Sequence, residues 1–472
     1  MGNIAAEFEA SAQKWPGKDV LVRGGQTLTW RTLDLRAGAL AEDLADRGVG
    51  PGDPVLLSFG DSLSLTIALL AALKTGATAT PLNQRLGDEE KAAIIADLGP
   101  KLVCDRLASG EKMFGCAETA IEDDAFILYT SGSTGAPKGA VLSHRATSLA
   151  LSHWRGPILD LGPDDVVLST LPPAHSFGVF GSILAPMLAG AKIVFLDRFS
   201  PEGVLAAIAE HRVTVFPGVA TMFQRILDCP DLVDADTSSL RFAASGAAPC
   251  SWELAEQWRA ATGARIIRGY GMTELFRPIS YTPLSDRDVP DAIGRAVADV
   301  ELRIVDKDGD VLPPGEIGEL WINSPARLTG YLNQPEQTRA VLQGDWFKTG
   351  DLATLDGDGF VRIKGRIKDI ILRGGYTVAA GSVEKVLMAH PDVAEAAVIG
   401  VPHRELGEEI AAYVTLQPGG GATSDSLIAF CKERMANFNY PRHVRVLDEM
   451  PKSPMGKVLK QKLRLSFSPR DS

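Results

Sequence analysis

Residues 191–218 read AKIVFLDRFSPEGVLAAIAEHRVTVFPG. Two short apolar runs, 191–196 and 212–218, flank an amphipathic run, 201–211, and Asp197, Ser200, Pro201 and Gly218 punctuate the joints. Runs of that length with β-branched residues read as buried strands, and the segment between them reads as a helix. The rhythm continues with ATMFQRIL (220–227) as a helix, LRFAASG (240–246) as a strand, SWELAEQWRAAT (251–262) as a helix and ARIIRGYG (264–271) as a strand. Strands alternating with helices predict a parallel sheet covered by helices. Ligands of such sheets bind at the carboxyl ends of the strands, so Ser245-Gly-Ala-Ala and Gly269-Tyr-Gly-Met-Thr-Glu274 should face one crevice.

Outward from this segment the pattern changes. Residues 177–196 are apolar enough to raise a membrane span, but Gly178, Gly181, Pro186, Gly190 and Lys192 interrupt them, which favours a buried helix followed by a buried strand. After Asp291, ADVELRIVDKDG (298–309) and GEIGELWINS (315–324) alternate apolar and polar residues around Gly and Asp turns, as antiparallel hairpins do. Beyond Gly365-Arg-Ile-Lys-Asp369 come a helix (381–390), two β-rich runs (394–401 and 409–416), a helix beginning at Asp425 and a strand (442–447). The expectation is an α/β fold: a large N-terminal domain, residues 1–367, of parallel sheets covered by helices plus a small antiparallel β subdomain. A small mobile α+β C-terminal domain, residues 368–472, follows.

The chain has 472 residues, 45% hydrophobic and 23% charged, which suits a globular protein with a substantial core. A net charge of -11 argues against nucleic acid as a partner, because phosphate-backbone binding needs clustered Lys and Arg. Cys104, Cys116, Cys229, Cys250 and Cys431 are odd in number and form no Cys-x-x-Cys pair, so a reducing compartment is expected, with neither zinc nor a disulfide frame. The N-terminus, MGNIAAEFEA, lacks the basic residues of a signal peptide. These features predict a cytoplasmic protein without membrane association.

The stretch ILYTSGSTGAPKG, Ile127 to Gly139, places glycines, hydroxyls and a lysine directly after an apolar run. Glycines let backbone N–H groups approach oxygens, hydroxyls donate further hydrogen bonds, and a cation offsets charge, so the composition fits a phosphate cradle. It is not the P-loop of NTPases, since Pro137-Lys138-Gly139 stands where that motif needs Gly-Lys-Ser/Thr.

This stretch resembles the phosphate-loop signature of the acyl-adenylate-forming superfamily, which contains acyl-CoA synthetases, stand-alone adenylation domains and firefly luciferase. LPPAHSFG (171–178), GYGMTE (269–274), TGDLATLDGDGFVRIKGRIKD (349–369) and PKSPMGKVLK (451–460) match the family in the family's order. The resemblance implies attack of a carboxylate on the α-phosphate of ATP, with Mg2+ bound, to give an acyl-adenylate and pyrophosphate. Thr130, Ser131, Gly132, Ser133, Thr134, Gly135 and Lys138 would wrap the β- and γ-phosphates. Glu274 with Thr134 would hold Mg2+, Thr273 would touch the α-phosphate, and Tyr270, between Gly269 and Gly271, would stack near the adenine. Asp351 would take the ribose hydroxyls and Arg366 would support the same nucleotide. Lys457 would be the inserted catalytic lysine, with Lys452 and Lys460 as solvated neighbours, and Lys368 would be the hinge between an adenylating and a thioesterifying pose. His175 would gate the acid pocket.

Two departures bear on the second half-reaction and on the substrate. The segment after the hinge has Thr377, Ala380 and Ser382 where the family commonly has Asn, Pro and Glu, and the spacer between Asp105 and Asp123 is short. Ser176 stands where amino-acid-activating relatives carry Asp, which disfavours an α-amino acid. The pocket should be lined by His175, Ser176, Phe177, Val219, Ser245, Gly246, Ala247, Gly271, Met272 and Arg277, with Arg277 either pairing with an anionic group on the substrate or pointing to the surface. The leading expectation is a ligase joining a small aromatic or short aliphatic acid to coenzyme A, acting as a monomer or homodimer. The alternatives are transfer to an acyl carrier protein's phosphopantetheine, and adenylation of a non-carboxylate such as nitrite with an amine acceptor. A degenerate nucleotide-binding regulator would have no need of Lys457 beside Lys138, Glu274 and Asp351.

Overall fold

The computed structural model of the chain describes residues 2–131, 137–285, 287–452 and 458–467. Two compact units emerge: Met1–Leu302 with Ile322–Phe347, and Arg303–Trp321 with Lys348–Ser472.

In the first unit a seven-stranded sheet runs, edge to edge, Arg265–Ile267, Phe242–Ser245, Val215–Gly218, Val166–Ser169, Lys192–Phe195, Asp19–Arg23 and Gln26–Thr29. Every neighbouring pair is parallel except the last, a hairpin closed at Arg23 and Gln26. The alternation expected over 191–271 is therefore present. Its helices start on local signals: Ser200 Oγ accepts from Gly203 N at 3.0 Å, and Ser251 Oγ accepts from Leu254 N at 3.1 Å. The helix faces bury Phe223 and Trp258, whose rings meet edge to face at 5.0 Å beneath Phe216 of the sheet.

Residues 177–196 form a buried helix and strand as expected, with one difference: Phe177–Leu184 is π-helical before the α-helical turn Ala185–Leu188. There Ser182 Oγ donates to Gly178 O at 2.7 Å, at the carbonyl that the Ser182 amide would take in an α-helix. Among the described residues no helix is long and apolar enough to cross a membrane.

The same unit holds a six-stranded sheet in the order Gly330–Tyr331, Pro137–Ser143, Asp124–Ser131, Thr78–Pro81, Pro54–Leu57, Leu102–Cys104. Its first three strands pair antiparallel and the rest parallel.

The second unit is α+β. Trp346–Leu355 pairs antiparallel with Val361–Arg366. A further sheet runs Tyr376–Ala379, Ile370–Arg373, Gly407–Leu416, Val393–His403, with His443–Val446 added parallel to Gly407–Leu416. Gly374 and Gly375, at φ 58° and 85°, form the two-residue turn of its first hairpin, a turn that needs positive φ at both positions. Helices Ala380–Met388 and Ser424–Arg434 bury Val383, Leu387, Leu427 and Cys431 on this sheet.

Candidate active site

In the first unit, Thr130 pairs with Lys138 across two antiparallel strands, Asp124–Ser131 and Pro137–Ser143, which fix both residues. Gly132, Ser133, Thr134 and Gly135 lie outside the described residues, and Ser131 is described only in its backbone. Lys138 Nζ stands 5.4 Å from the centre of the Tyr331 ring. Tyr331 reaches that place because Gly330 and Tyr331 pair with Val141 and Ala140, further along the strand of Lys138. Its hydroxyl donates to Glu274 Oε1 at 2.7 Å, and burial together with the Glu274 charge holds its pKa above the ordinary tyrosine range.

Glu274 lies in a tight reversal. Gly269–Met272 pairs antiparallel with Phe276–Ser280, leaving Thr273, Glu274 and Leu275 as the connection. Both glycines are steric requirements: a Cβ on Gly271 would sit 1.8 Å from Phe276 O, and one on Gly269 would sit 2.5 Å from the Arg277 guanidinium. Thr273 is buried with its Oγ1 3.1 Å from Ser176 Oγ. This contact joins the LPPAHSFG and GYGMTE stretches.

His175 Nδ1 accepts from Phe177 N at 3.3 Å, which places the neutral ring's proton on Nε2. Burial pushes its pKa down to about 4, so the ring is uncharged at neutral pH. The Phe177 ring packs on Gly246, where a Cβ would come within 2.8 Å, and meets Trp154 edge to face at 5.6 Å. Ala247 follows with a left-handed φ of 62°, and Val219 caps the helix Ala220–Leu227 from the end of the adjacent strand. The Phe177–Gly246 contact brings two of the candidate pocket stretches together.

Arg277 corrects the sequence reading. It does not point to the surface, and three of its five N–H donors are taken by the protein. The side chain is buried, with Nη1 donating to Ser245 O at 2.5 Å, Nη2 to Ile267 O at 3.0 Å and Nε to Ser280 Oγ at 3.2 Å, and its guanidinium lies 5.1 Å from the Trp154 ring centre. The guanidinium fork thus bridges the carbonyl ends of two neighbouring parallel strands, Phe242–Ser245 and Arg265–Ile267. Burial lowers its pKa to about 9.

In the second unit, Asp351 and Arg366 are direct register partners, and Arg366 Nε stands 3.0 Å from the buried Asp351 Oδ1. The two residues assigned to the ribose side thus belong to one ion pair. Lys368 is exposed in the short 3-10 turn Ile367–Asp369 that follows. Lys457 lies outside the described residues. Of its neighbours, Lys452 is exposed as expected and pairs with Glu395 at the surface, whereas Lys460 departs from the expectation: it is half-buried, with Nζ 2.7 Å from Glu384 Oε1 and 3.7 Å from Asp369 Oδ2. A glutamate on each neighbouring element meets each basic side chain.

Tyr331 is the residue that sequence reasoning missed. Its only signal is an aromatic after Gly330, which composition does not separate from a core tyrosine. No cluster of three His, Cys, Asp or Glu side chains able to hold a metal occurs among the described residues. A single carboxylate, Glu274, fits Mg2+, which keeps most of its waters and is commonly held by one or two carboxylates together with substrate phosphates.

The family model of the AMP-binding enzymes matches residues 8–114 and 108–332, and that of the AMP-binding enzyme C-terminal domain matches 382–457. The chain belongs to the AMP-binding enzyme family. It is 33% identical to a feruloyl-CoA synthase of an Amycolatopsis species over 97% of both chains. Among solved structures, ATP-bound MatB from Rhodopseudomonas palustris superposes with a TM-score of 0.92 at 32% identity, covering all of both chains. The anthranilate CoA ligase AuaEII in complex with anthranoyl-AMP superposes with a TM-score of 0.90 at 28% identity, over 98% of this chain and 97% of that one. The protein is accordingly an AMP-forming acid–thiol ligase: it activates an organic acid with ATP as the adenylate and passes the acyl group to a thiol such as coenzyme A.

Proposed function

We propose that the acid is a small monocarboxylic acid with an uncharged aromatic or short aliphatic body, that Mg2+ accompanies the ATP, and that coenzyme A is the acceptor. One observation carries the acid class: among the candidate lining residues Arg277 is the sole permanent cation, and its guanidinium is committed to Ser245, Ile267 and Ser280. His175 is neutral. A second carboxylate on the substrate would lie buried without a dedicated ion-pair partner, since the Arg277 guanidinium is held by protein acceptors. The similarity to a feruloyl-CoA synthase and to an anthranilate CoA ligase supports an aromatic body.

In this reading a substrate carboxylate oxygen attacks the α-phosphorus, the bond to the β-phosphate bridge breaks, and pyrophosphate leaves with that electron pair. The coenzyme A sulfur, as thiolate, then attacks the acyl carbon and AMP leaves. Thr130 and Lys138, with the loop they frame, hold the β- and γ-phosphates. Thr273, fixed by Ser176, donates to the α-phosphate. Mg2+, held by Glu274 and Thr134, would neutralise charge on the phosphate oxygens. Asp351, oriented by Arg366, accepts from the ribose hydroxyls, and Lys457 stabilises the charge that develops between carboxylate and α-phosphate. The functional boundary is set at Lys368, about which residues 368–472 alternate between the two half-reactions.

The altered loop after the hinge supports the thiol acceptor. Ala379 keeps φ -78° and ψ 118°, the extended conformation that a following proline would impose, although Ala380 stands there. Ser382 Oγ donates to Ala379 O at 2.7 Å and holds the turn.

Steady-state kinetics on a panel of acids tests this reading, pairing each neutral acid with an isostere carrying a second carboxylate, with coenzyme A, a phosphopantetheinylated carrier or amines as acceptor. The expected result is a preference of about 10² or more for the neutral acid and turnover with coenzyme A. Preference for the dicarboxylate, or turnover only with a carrier or an amine, contradicts it.

A further inference from the structure

We propose that Tyr331 is a positioning residue that holds Lys138 and Glu274 apart in charge and together in space, so that one stays available to the triphosphate and the other to the metal that travels with it. The inference rests on the assignment of those two residues in the preceding reading.

Lys138 and Glu274 come from different elements, the phosphate-loop stem and the GYGMTE reversal, and both are half-buried. An ammonium and a carboxylate at such a site would ordinarily close on each other as an ion pair, and each would then be quenched for its ligand. Tyr331 stands between them. Its ring face takes the Lys138 ammonium at 5.4 Å from the centroid, and its hydroxyl edge donates to Glu274 Oε1 at 2.7 Å. A quadrupole satisfies the cation without cancelling its charge, and a neutral hydroxyl satisfies one carboxylate oxygen while leaving Oε2 as the acceptor for a cation.

The tyrosine is itself fixed. Gly330–Tyr331 pairs with the phosphate-loop stem at Val141 and Ala140, Tyr331 N donates to Thr338 Oγ1 at 2.9 Å, and Glu274 O accepts from Leu328 N at 2.8 Å, three residues before it. The two motifs are therefore registered through the segment Leu328–Tyr331, which the sequence motifs do not include.

Calorimetric binding of ATP alone in EDTA and of ATP with excess Mg2+, without any acid, separates the two functions of the ring. Tyr331→Phe keeps the ring and loses the hydroxyl. It should bind metal-free ATP within about twofold of wild type and lose about tenfold of the affinity that Mg2+ adds, the scale of one hydrogen bond to a charged group. Tyr331→Leu should in addition weaken metal-free ATP by about threefold, because Lys138 loses its aromatic face and turns to Glu274. Glu274→Gln should lose the Mg2+ increment by itself. If Glu274→Gln loses the increment while Tyr331→Phe keeps all of it, the positioning role is overturned and the metal assignment stands. If Glu274→Gln keeps it, the metal assignment falls and the proposal falls with it.

Discussion

Arg277 Nη1 donates to the carbonyl oxygen of Ser245 across 2.5 Å. Through this contact the strand end before the Ser-Gly-Ala-Ala turn is fixed by a side chain that follows the GYGMTE reversal. Arg277→Met should therefore act as a structural lesion. Three protein acceptors lose their donor, at about 1–3 kcal/mol for each buried group left unsatisfied, and the melting temperature should fall by several degrees. The ratio of kcat/KM for neutral and dicarboxylic acids should stay unchanged. A selective loss with dicarboxylates would return Arg277 to the substrate.

Between pH 7.5 and 4.5 the buried His175 sets a second expectation. Its folded pKa near 4 lies below the unfolded value of 6.5, so between those limits the unfolded chain binds more protons. Its contribution is fully present above pH 6.5 and is lost as pH falls toward 4, up to about 3 kcal/mol in total. Urea midpoints of wild type and His175→Asn should converge as the pH drops through this window. Parallel curves would contradict an uncharged buried ring.

Asp351 is 3% exposed and paired with Arg366, which fixes the orientation of the carboxylate assigned to the ribose hydroxyls. Asp351→Asn should raise the KM for ATP by about 10- to 100-fold, the range for hydrogen bonds to a charged acceptor. It should also erase the preference for ATP over 2′-deoxy-ATP. Retention of that preference in the variant would place the ribose elsewhere.

Lys457 and Lys460 stand three residues apart and should behave differently. Lys457→Ala should slow acid-dependent ATP–pyrophosphate exchange by about 10² to 10³, as loss of one transition-state donor does. Lys460 is occupied by Glu384 and Asp369, so Lys460→Met should cost about 1 kcal/mol of stability and leave the exchange rate within about twofold. Equal losses for both variants would assign them one structural role.

The order of strands and helices from 191 to 271 was legible because burial on a parallel sheet forces short apolar runs and amphipathic helices into separate segments. The meeting of Ser176 with Thr273 lay outside that rhythm, since it joins two stretches 97 positions apart that only the family resemblance placed at one site. What Arg277 does was not legible, since its partners are backbone carbonyls, which every sequence carries equally. Tyr331 was missed for a related reason: its role depends on Lys138, 193 positions away in the chain, and on a two-residue strand too short to show a period. The pairing of Lys460 with Glu384 likewise depends on tertiary placement that the local sequence does not encode.

Attack of the acid's own oxygen on the α-phosphorus is the step that defines the reaction. The most direct test supplies the best acid of the panel labelled with 18O in its carboxylate, together with unlabelled ATP, Mg2+ and coenzyme A, and analyses the products by mass spectrometry. AMP carrying one 18O, with unlabelled pyrophosphate and an equimolar thioester, is the predicted result. Label in inorganic phosphate beside ADP, or AMP without label, would contradict it.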